Sequence, residues 1–169
     1  MRFNVISADP PWSFDDKLQM DPGINRSADS QYATLSMEEI KKLDVKSLAD
    51  PTGCLLALWV PGSMLQDGLD TMKAWGFTHK QVYVWVKTKK DPFKSLKQTL
   101  LIMLKKLSLG MSFNSIVKST INAFRLNQVL AFGMGRLFRQ THEICLIGTS
   151  GKSVYPMLKN NSQRSVSFD

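Results

Sequence analysis

The chain has 169 residues, 43% of them hydrophobic, and a formal net charge of +8. That length and composition suit one compact domain with a sizeable core, and no apolar run approaches the roughly 20 residues that span a bilayer. The charge is unevenly spread: residues 1–70 hold 6 Lys+Arg against 11 Asp+Glu, and residues 71–169 hold 16 against 3.

The N-terminus carries only Arg2 before a short apolar segment, which does not make a secretory leader. Cys54 and Cys145 sit in separate apolar runs, far from any His/Cys ligand spacing, and read as buried reduced thiols with no metal. The expectation is a cytoplasmic protein that binds no membrane. Its basic second half either attracts a polyanion, nucleic acid first among them, or is a solvated lysine surface.

Residues 3–8, FNVISA, predict a strand that runs into Asp9-Pro10-Pro11-Trp12. Residues 13–35 are polar, contain Pro22-Gly23 and read as a long loop, and loops of that length are commonly functional or disordered. Ser36 with Glu39 forms a capping box and predicts a helix to about Leu48. The apolar run CLLALWV (54–60) predicts a strand buried on both faces. A helix follows from about Gly62 to Trp75, closed by Gly76, and QVYVWVK (81–87) predicts a further strand. Strands alternating with helices in this way imply βαβ units and a mainly parallel sheet.

In residues 92–107, Phe93, Leu96, Leu100, Met103 and Leu107 fall on one helical face with lysines opposite, a stripe that reads as core packing. Residues 112–126 predict another helix, HEICLIG (142–148) a strand, and RSVSF (164–168) a last strand.

In an open α/β sheet, ligands bind beyond the carboxyl ends of the strands, and Asp9 lies just past such an end. Two successive prolines restrict the backbone and remove two N–H donors, leaving a stiff corner rich in acceptors. Such a corner suits the amino group of an adenine ring. If the Asp9 carboxylate and the Pro10 carbonyl accept both amino hydrogens, the nitrogen lone pair is freed for an electrophile. The acceptors would also stabilise the positive charge that develops as the bond forms. Trp12 is placed to stack on the ring, and the base must be single-stranded or flipped out. Taken singly, an Asp after a strand more often serves a turn, a lone Trp more often fills a core, and a proline pair more often stiffens a loop.

In these residues and in motifs further along, the chain resembles the DPPW-type adenine-N6 methyltransferases. These are relatives of the catalytic subunit of the messenger-RNA adenosine methyltransferase, and they also occur in bacteria and phages as DNA methyltransferases. The resemblance is carried in order by ADPPW (8–12), QYATLSMEEIKKL (31–43), LALWVPGSML (56–65), WGF (75–77), VWVKT (84–88) and FGMGRLFRQTHEICLIGTSG (132–151). It implies a Rossmann-like class I methyltransferase fold, a mainly parallel sheet with helices on both faces and permuted motif order. It also implies S-adenosylmethionine-dependent methyl transfer to the N6 amine of adenine, in DNA before RNA.

By the same resemblance, Asp9, Pro10, Pro11 and Trp12 are the catalytic corner, Ala8 and Asp9 border the cofactor, and Tyr32 lines the adenine pocket. Glu143 matches a glutamate near the reacting groups, though a surface strand residue is an equal reading. Lys87 follows a strand that looks buried and is either a substrate contact or a solvated lysine. Arg136 and Arg139 fall where the family sets basic residues against the nucleic-acid backbone. The chain reads as a single domain (1–169) with a basic helical insertion at 89–127, which serves target recognition, a dimer surface or packing.

The family carries a further segment with its remaining cofactor ligands, and the expectation is that these C-terminal strands are missing here. Two functions then compete: an active methyltransferase, or a catalytically incomplete module that binds nucleic acid or pairs with a partner, as a homo- or heterodimer. An uncovered sheet edge favours such association.

Overall fold

The computed structural model describes residues 1–13, 33–121, 129–131, 133, 140–152, 154–160 and 162–168. Among the described residues five strands form one sheet: β1 (Val5–Ala8), β2 (Gly53–Val60), β3 (Thr78–Val86), β4 (His142–Gly151) and β5 (Val166–Phe168), in the order β1-β2-β4-β3-β5. Among the described residues four α-helices accompany them: α1 (Met37–Lys42), α2 (Leu65–Ala74), α3 (Lys94–Ser108) and α4 (Phe113–Ile121).

β1 and β2 run parallel, with Ala8 opposite Leu58, and β4 runs antiparallel to β2, with Cys145 opposite Trp59. β4 is also antiparallel to β3. At one end of that pair the Lys87 N–H donates to the Thr141 carbonyl. At the other, a Cβ added to Gly148 would lie 3.2 Å from the Thr78 carbonyl. Strands β1, β2 and β3 therefore share one direction, with β4 reversed between β2 and β3. The result is a mixed α/β sheet in which three of these four strands point the same way, as the strand–helix alternation implies, while β4 runs against both its neighbours.

The chain divides into two compact units, Met1–Val84 with Glu143–Val166, and Trp85–His142 with Ser167–Asp169. The first unit holds the hydrophobic core, which includes Trp12, Ile40, Leu56, Leu58, Val60, Met72, Trp75 and Leu146. The alternation of β2 sends Leu56, Leu58 and Val60 into this core beside α2. The Trp75 indole N–H donates to the Ile40 carbonyl at 2.9 Å, tying the end of α2 to α1. Gly76, at φ +77°, takes the left-handed conformation that stops α2.

Several expectations need correction. The capping box at Ser36 and Glu39 is present, but α1 ends at Lys42 rather than near Leu48. Asp44 accepts the Ser47 N–H and starts a separate 3-10 turn over Val45–Leu48, because an Asp carboxylate competes for backbone donors inside a helix. β2 is fully buried on one face only, with Leu55, Ala57 and Trp59 half-buried on the other. β3 has no buried residue at all.

The stripe on α3 is not core. Leu100 is 49% exposed and Phe93, just before the helix, 60%, and no α3 residue is buried. The stripe has the spacing of a buried face, but spacing does not supply the surface that would cover it. Cys54 and Cys145 are free, buried thiols. The loop predicted at 13–35 falls mostly outside the described residues, as does the end of the helix predicted at 112–126.

Candidate functional site

The site is built where β1 ends. Ile6 and Ala8 pack on the core while Val5 and Ser7 face the other way, so the next residue on the outward side is Asp9. Continuing the β1–β2 register by one step sets Asp9 level with Trp59, whose partner on β4 is Cys145. Glu143 lies two residues from Cys145 and so on the same face of β4. The sheet thus collects Asp9, Trp59, Cys145 and Glu143 on one face at the carboxyl ends of β1 and β2.

The electrostatics follow that placement. Partial burial raises the Asp9 carboxyl above its ordinary range, and the negative charge of Glu143 raises it further. Burial pushes the Cys145 thiol up to about 11, with the charge of Asp9 adding to the effect. Asp9 remains solvent-exposed even so. It is a carboxylate held more basic than usual at the mouth of a strand end.

The proline corner is stiff, but its carbonyls are less idle than the sequence suggests. The Trp12 N–H turns back to the Pro10 carbonyl at 2.8 Å, and the Leu35 N–H donates to the Pro11 carbonyl at 2.9 Å. A carbonyl oxygen has two acceptor positions, so the bond from Trp12 leaves a second one on Pro10, itself a buried residue.

Trp12 departs from its expected role. Its ring is 3% exposed, belongs to the core, and donates its indole N–H to the Trp59 carbonyl at 3.0 Å. A ring so enclosed has no free face on which a base can stack, and it acts instead as the peg that fixes the corner. The aromatic surface on the Asp9 face is Trp59, half-buried and packed edge-on against Tyr83, with centroids 6.3 Å apart and planes at 87°. Sequence reasoning passed over Trp59 because CLLALWV read as wholly interior. The two-residue alternation that β1 and β2 share was the signal available.

Glu143 is half-buried on β4 and takes part in further interactions. Lys87 belongs to the second unit, where its ammonium sits 5.4 Å from the centre of the Trp85 ring, a cation–π contact rather than a purely solvated position. Ala8 is half-buried against the core. Tyr32, Arg136 and Arg139 lie outside the described residues.

The family model described as MT-A70 matches residues 3–120. The type II methyltransferase M.MunI of Mycoplasma sp is 32% identical over 117 residues, covering 60% of this chain and 50% of that protein. The N(6)-adenosine-methyltransferase MT-A70-like protein of Drosophila melanogaster is 34% identical over 87 residues, covering 52% of this chain and 12% of the relative. The N6-adenosine-methyltransferase non-catalytic subunit MTB of Arabidopsis thaliana is 38% identical over 91 residues, covering 53% and 11%. The chain thus spans about half the length of M.MunI and about a tenth of the other two.

Proposed function

The chain belongs to the MT-A70 family of N6-adenine methyltransferases, and on that footing we propose that it transfers methyl from S-adenosylmethionine to the N6 amine of adenine in DNA. One observation carries the site: Asp9, at the carboxyl end of β1, faces Glu143 and is held more basic than an ordinary aspartate. DNA is favoured over RNA because M.MunI, a type II methyltransferase, aligns over 117 residues whereas the two adenosine-methyltransferase relatives align over 87 and 91.

In this reading Asp9 accepts one amino hydrogen of the adenine and the remaining acceptor position of the Pro10 carbonyl takes the other. Both bonds draw the nitrogen lone pair out of the ring plane, and both strengthen as the nitrogen gains positive charge. The raised basicity of Asp9 suits it to receive the proton that the methylated nitrogen must lose. Trp59 borders the base, and Trp12 acts through the backbone by fixing the corner. Tyr32, Lys87, Arg136 and Arg139 are proposed to hold the nucleic acid around it.

S-adenosylmethionine, when bound, supplies the methyl group as an electrophile. The residues present fit it in charge, since Asp9 and Glu143 together set negative potential where a sulfonium is attracted. Ala8 and Asp9 would border it. In the same proposal residues 1–169 are one methyltransferase-like domain with an insertion at 89–127. The two buried, free thiols support a cytoplasmic setting.

Replacing Asp9 with Ala and measuring methyl transfer to adenine in single- and double-stranded DNA tests the reading. Transfer undiminished by that change would rule it out. A second reading is favoured by the MTB relative, a non-catalytic subunit: the chain binds nucleic acid or a partner subunit without turning over. It predicts no S-adenosylmethionine binding by calorimetry, and tight binding would dismiss it.

A further inference from the structure

Trp59 is held at two points. Its backbone carbonyl accepts the Trp12 indole N–H at 3.0 Å, which ties it to the corner that carries Asp9. Its ring meets the ring of Tyr83 edge-on, with centroids 6.3 Å apart and planes at 87°. Trp59 belongs to β2 and Tyr83 to β3, and the sheet order sets β4 between them. Neighbouring strands lie about 4.8 Å apart, so strands separated by a third stand roughly 9–10 Å apart. The two rings therefore lean toward each other above β4. The β4 residue opposite Trp59 is Cys145, small and 1% exposed, which leaves the rings room to meet there.

An edge-on contact is directional. The face of an aromatic ring is negative and its edge positive, so perpendicular planes are favoured and a tilt weakens the pair. The torsion that turns an indole about its own stem has a broad well, and a half-buried tryptophan at a strand end is free to use it unless a neighbour narrows it. Tyr83 is that neighbour. Both side chains are half-buried, so part of the aromatic surface stays open on the Asp9 face of the sheet.

We propose that Tyr83 is a positioning residue for methyl transfer: it fixes the tilt of the Trp59 ring and, through it, the plane in which adenine is presented to Asp9. The proposal rests on the reading above, in which Trp59 borders the base. A base laid against the indole takes its plane from that ring. The amino nitrogen must turn its lone pair toward the incoming methyl group, and a small error of angle leaves the base bound but out of line. The consequence is a split in the kinetics. Contact area with Trp59 enters KM, while the tilt set by Tyr83 enters kcat.

Steady-state kinetics of the whole chain on single-stranded DNA containing adenine test this. Tyr83→Ile, a β-branched residue suited to a strand, should lower kcat about tenfold while KM changes less than about twofold. Trp59→Leu should raise KM as well. Tyr83 takes part in further interactions, and Tyr83→Phe separates its ring from its hydroxyl. The Phe variant keeps the edge-on contact and should hold kcat within about twofold of wild type. Near-UV circular dichroism reads the contact without any reaction: Tyr83→Ile should change the aromatic band more in the wild-type chain than in Trp59→Leu. The far-UV spectrum checks that each variant is folded. A Phe variant as slow as the Ile variant, or equal near-UV changes in both backgrounds, would overturn the proposal. A wild-type chain that transfers no methyl strikes the proposed reaction itself. Transfer by the wild type with kcat unchanged in Tyr83→Ile strikes the role of Tyr83 alone.

Discussion

The indole N–H of Trp12 donates to the backbone carbonyl of Trp59 at 3.0 Å, joining the corner after β1 to the last turn of the β2 ladder. Since β1 and β2 are parallel neighbours in register, this one bond locks the direction in which the chain leaves the sheet at Asp9. Trp12→Phe keeps most of the buried ring and removes the bond that the Trp59 carbonyl accepts. It is expected to cost about 0.5–1.5 kcal/mol in denaturant unfolding. Trp12→Ala also empties the core site and should cost about 3–5 kcal/mol. If Trp12 positions Asp9 rather than stacking on the base, Trp12→Phe lowers the rate of methyl transfer with little change in the KM for the nucleic acid.

Asp9 and Glu143 set the pH behaviour. Asp9 titrates above its ordinary range in the folded protein, from burial first and Glu143 second. Methyl transfer is expected to fall in acid as Asp9 protonates, and Glu143→Gln should move that acid limb to lower pH. Burial remains, so the limb does not return fully to that of a free aspartate. The stability sign is the reverse of the activity sign. A folded pKa above the unfolded one gives stability below the unfolded pKa that is lost as pH rises through the folded pKa. Asp9→Asn should therefore melt at or above the wild-type temperature at neutral pH while losing transfer, and the gap should close in acid. A neutral-pH Tm clearly below wild type would contradict this.

Gly68 marks where α2 meets β2. A Cβ added there would lie 2.6 and 2.8 Å from the two γ-carbons of Val60 and 3.1 Å from Leu146. Helix propensity alone favours Ala over Gly by about 1 kcal/mol. Val60 is stiff and buried, so the overlap must be relieved by moving the helix, at about 1–3 kcal/mol. Gly68→Ala is expected to lower the denaturation midpoint in spite of the propensity gain.

How much of this was legible in the sequence depended on whether local pattern or distant packing decided the outcome. The capping box at Ser36 and Glu39, the β2 run and the glycine stop at Gly76 are local, and each element stands where those residues set it. The family motifs likewise singled out Asp9 and Glu143, which lie far apart in the chain and influence each other by charge in the folded protein. Burial was the quantity misjudged. Trp12 looked like a free platform and is core, while the leucines of α3 looked like core and are exposed. Periodicity reports which residues share a face and is silent on what the face meets. A direct comparison follows: Leu58→Ala, fully buried, should cost about 2–5 kcal/mol. Leu101→Ala, at 65% exposure on α3, should stay within about 0.5 kcal/mol. Equal losses in the two variants would show that α3 is covered in solution.

Cys145 lies opposite Trp59 and on the Asp9 face, yet it is chemically silent for two reasons that can be separated. Its side chain is 1% exposed, and burial with the neighbouring Asp9 charge pushes its thiol up to about 11. At pH 8 about one molecule in a thousand then carries the thiolate, the reactive form. Alkylation of the folded protein at that pH is expected to be at least on the order of a hundredfold slower than for a free cysteine. In denaturant both Cys145 and Cys54 should react at the free rate. Asp9→Asn removes the lesser cause and leaves the burial, so it should speed labelling of the folded chain only slightly. A large acceleration in that variant would mean that the carboxylate, and not the closed β2–β4 interface, is what protects the thiol.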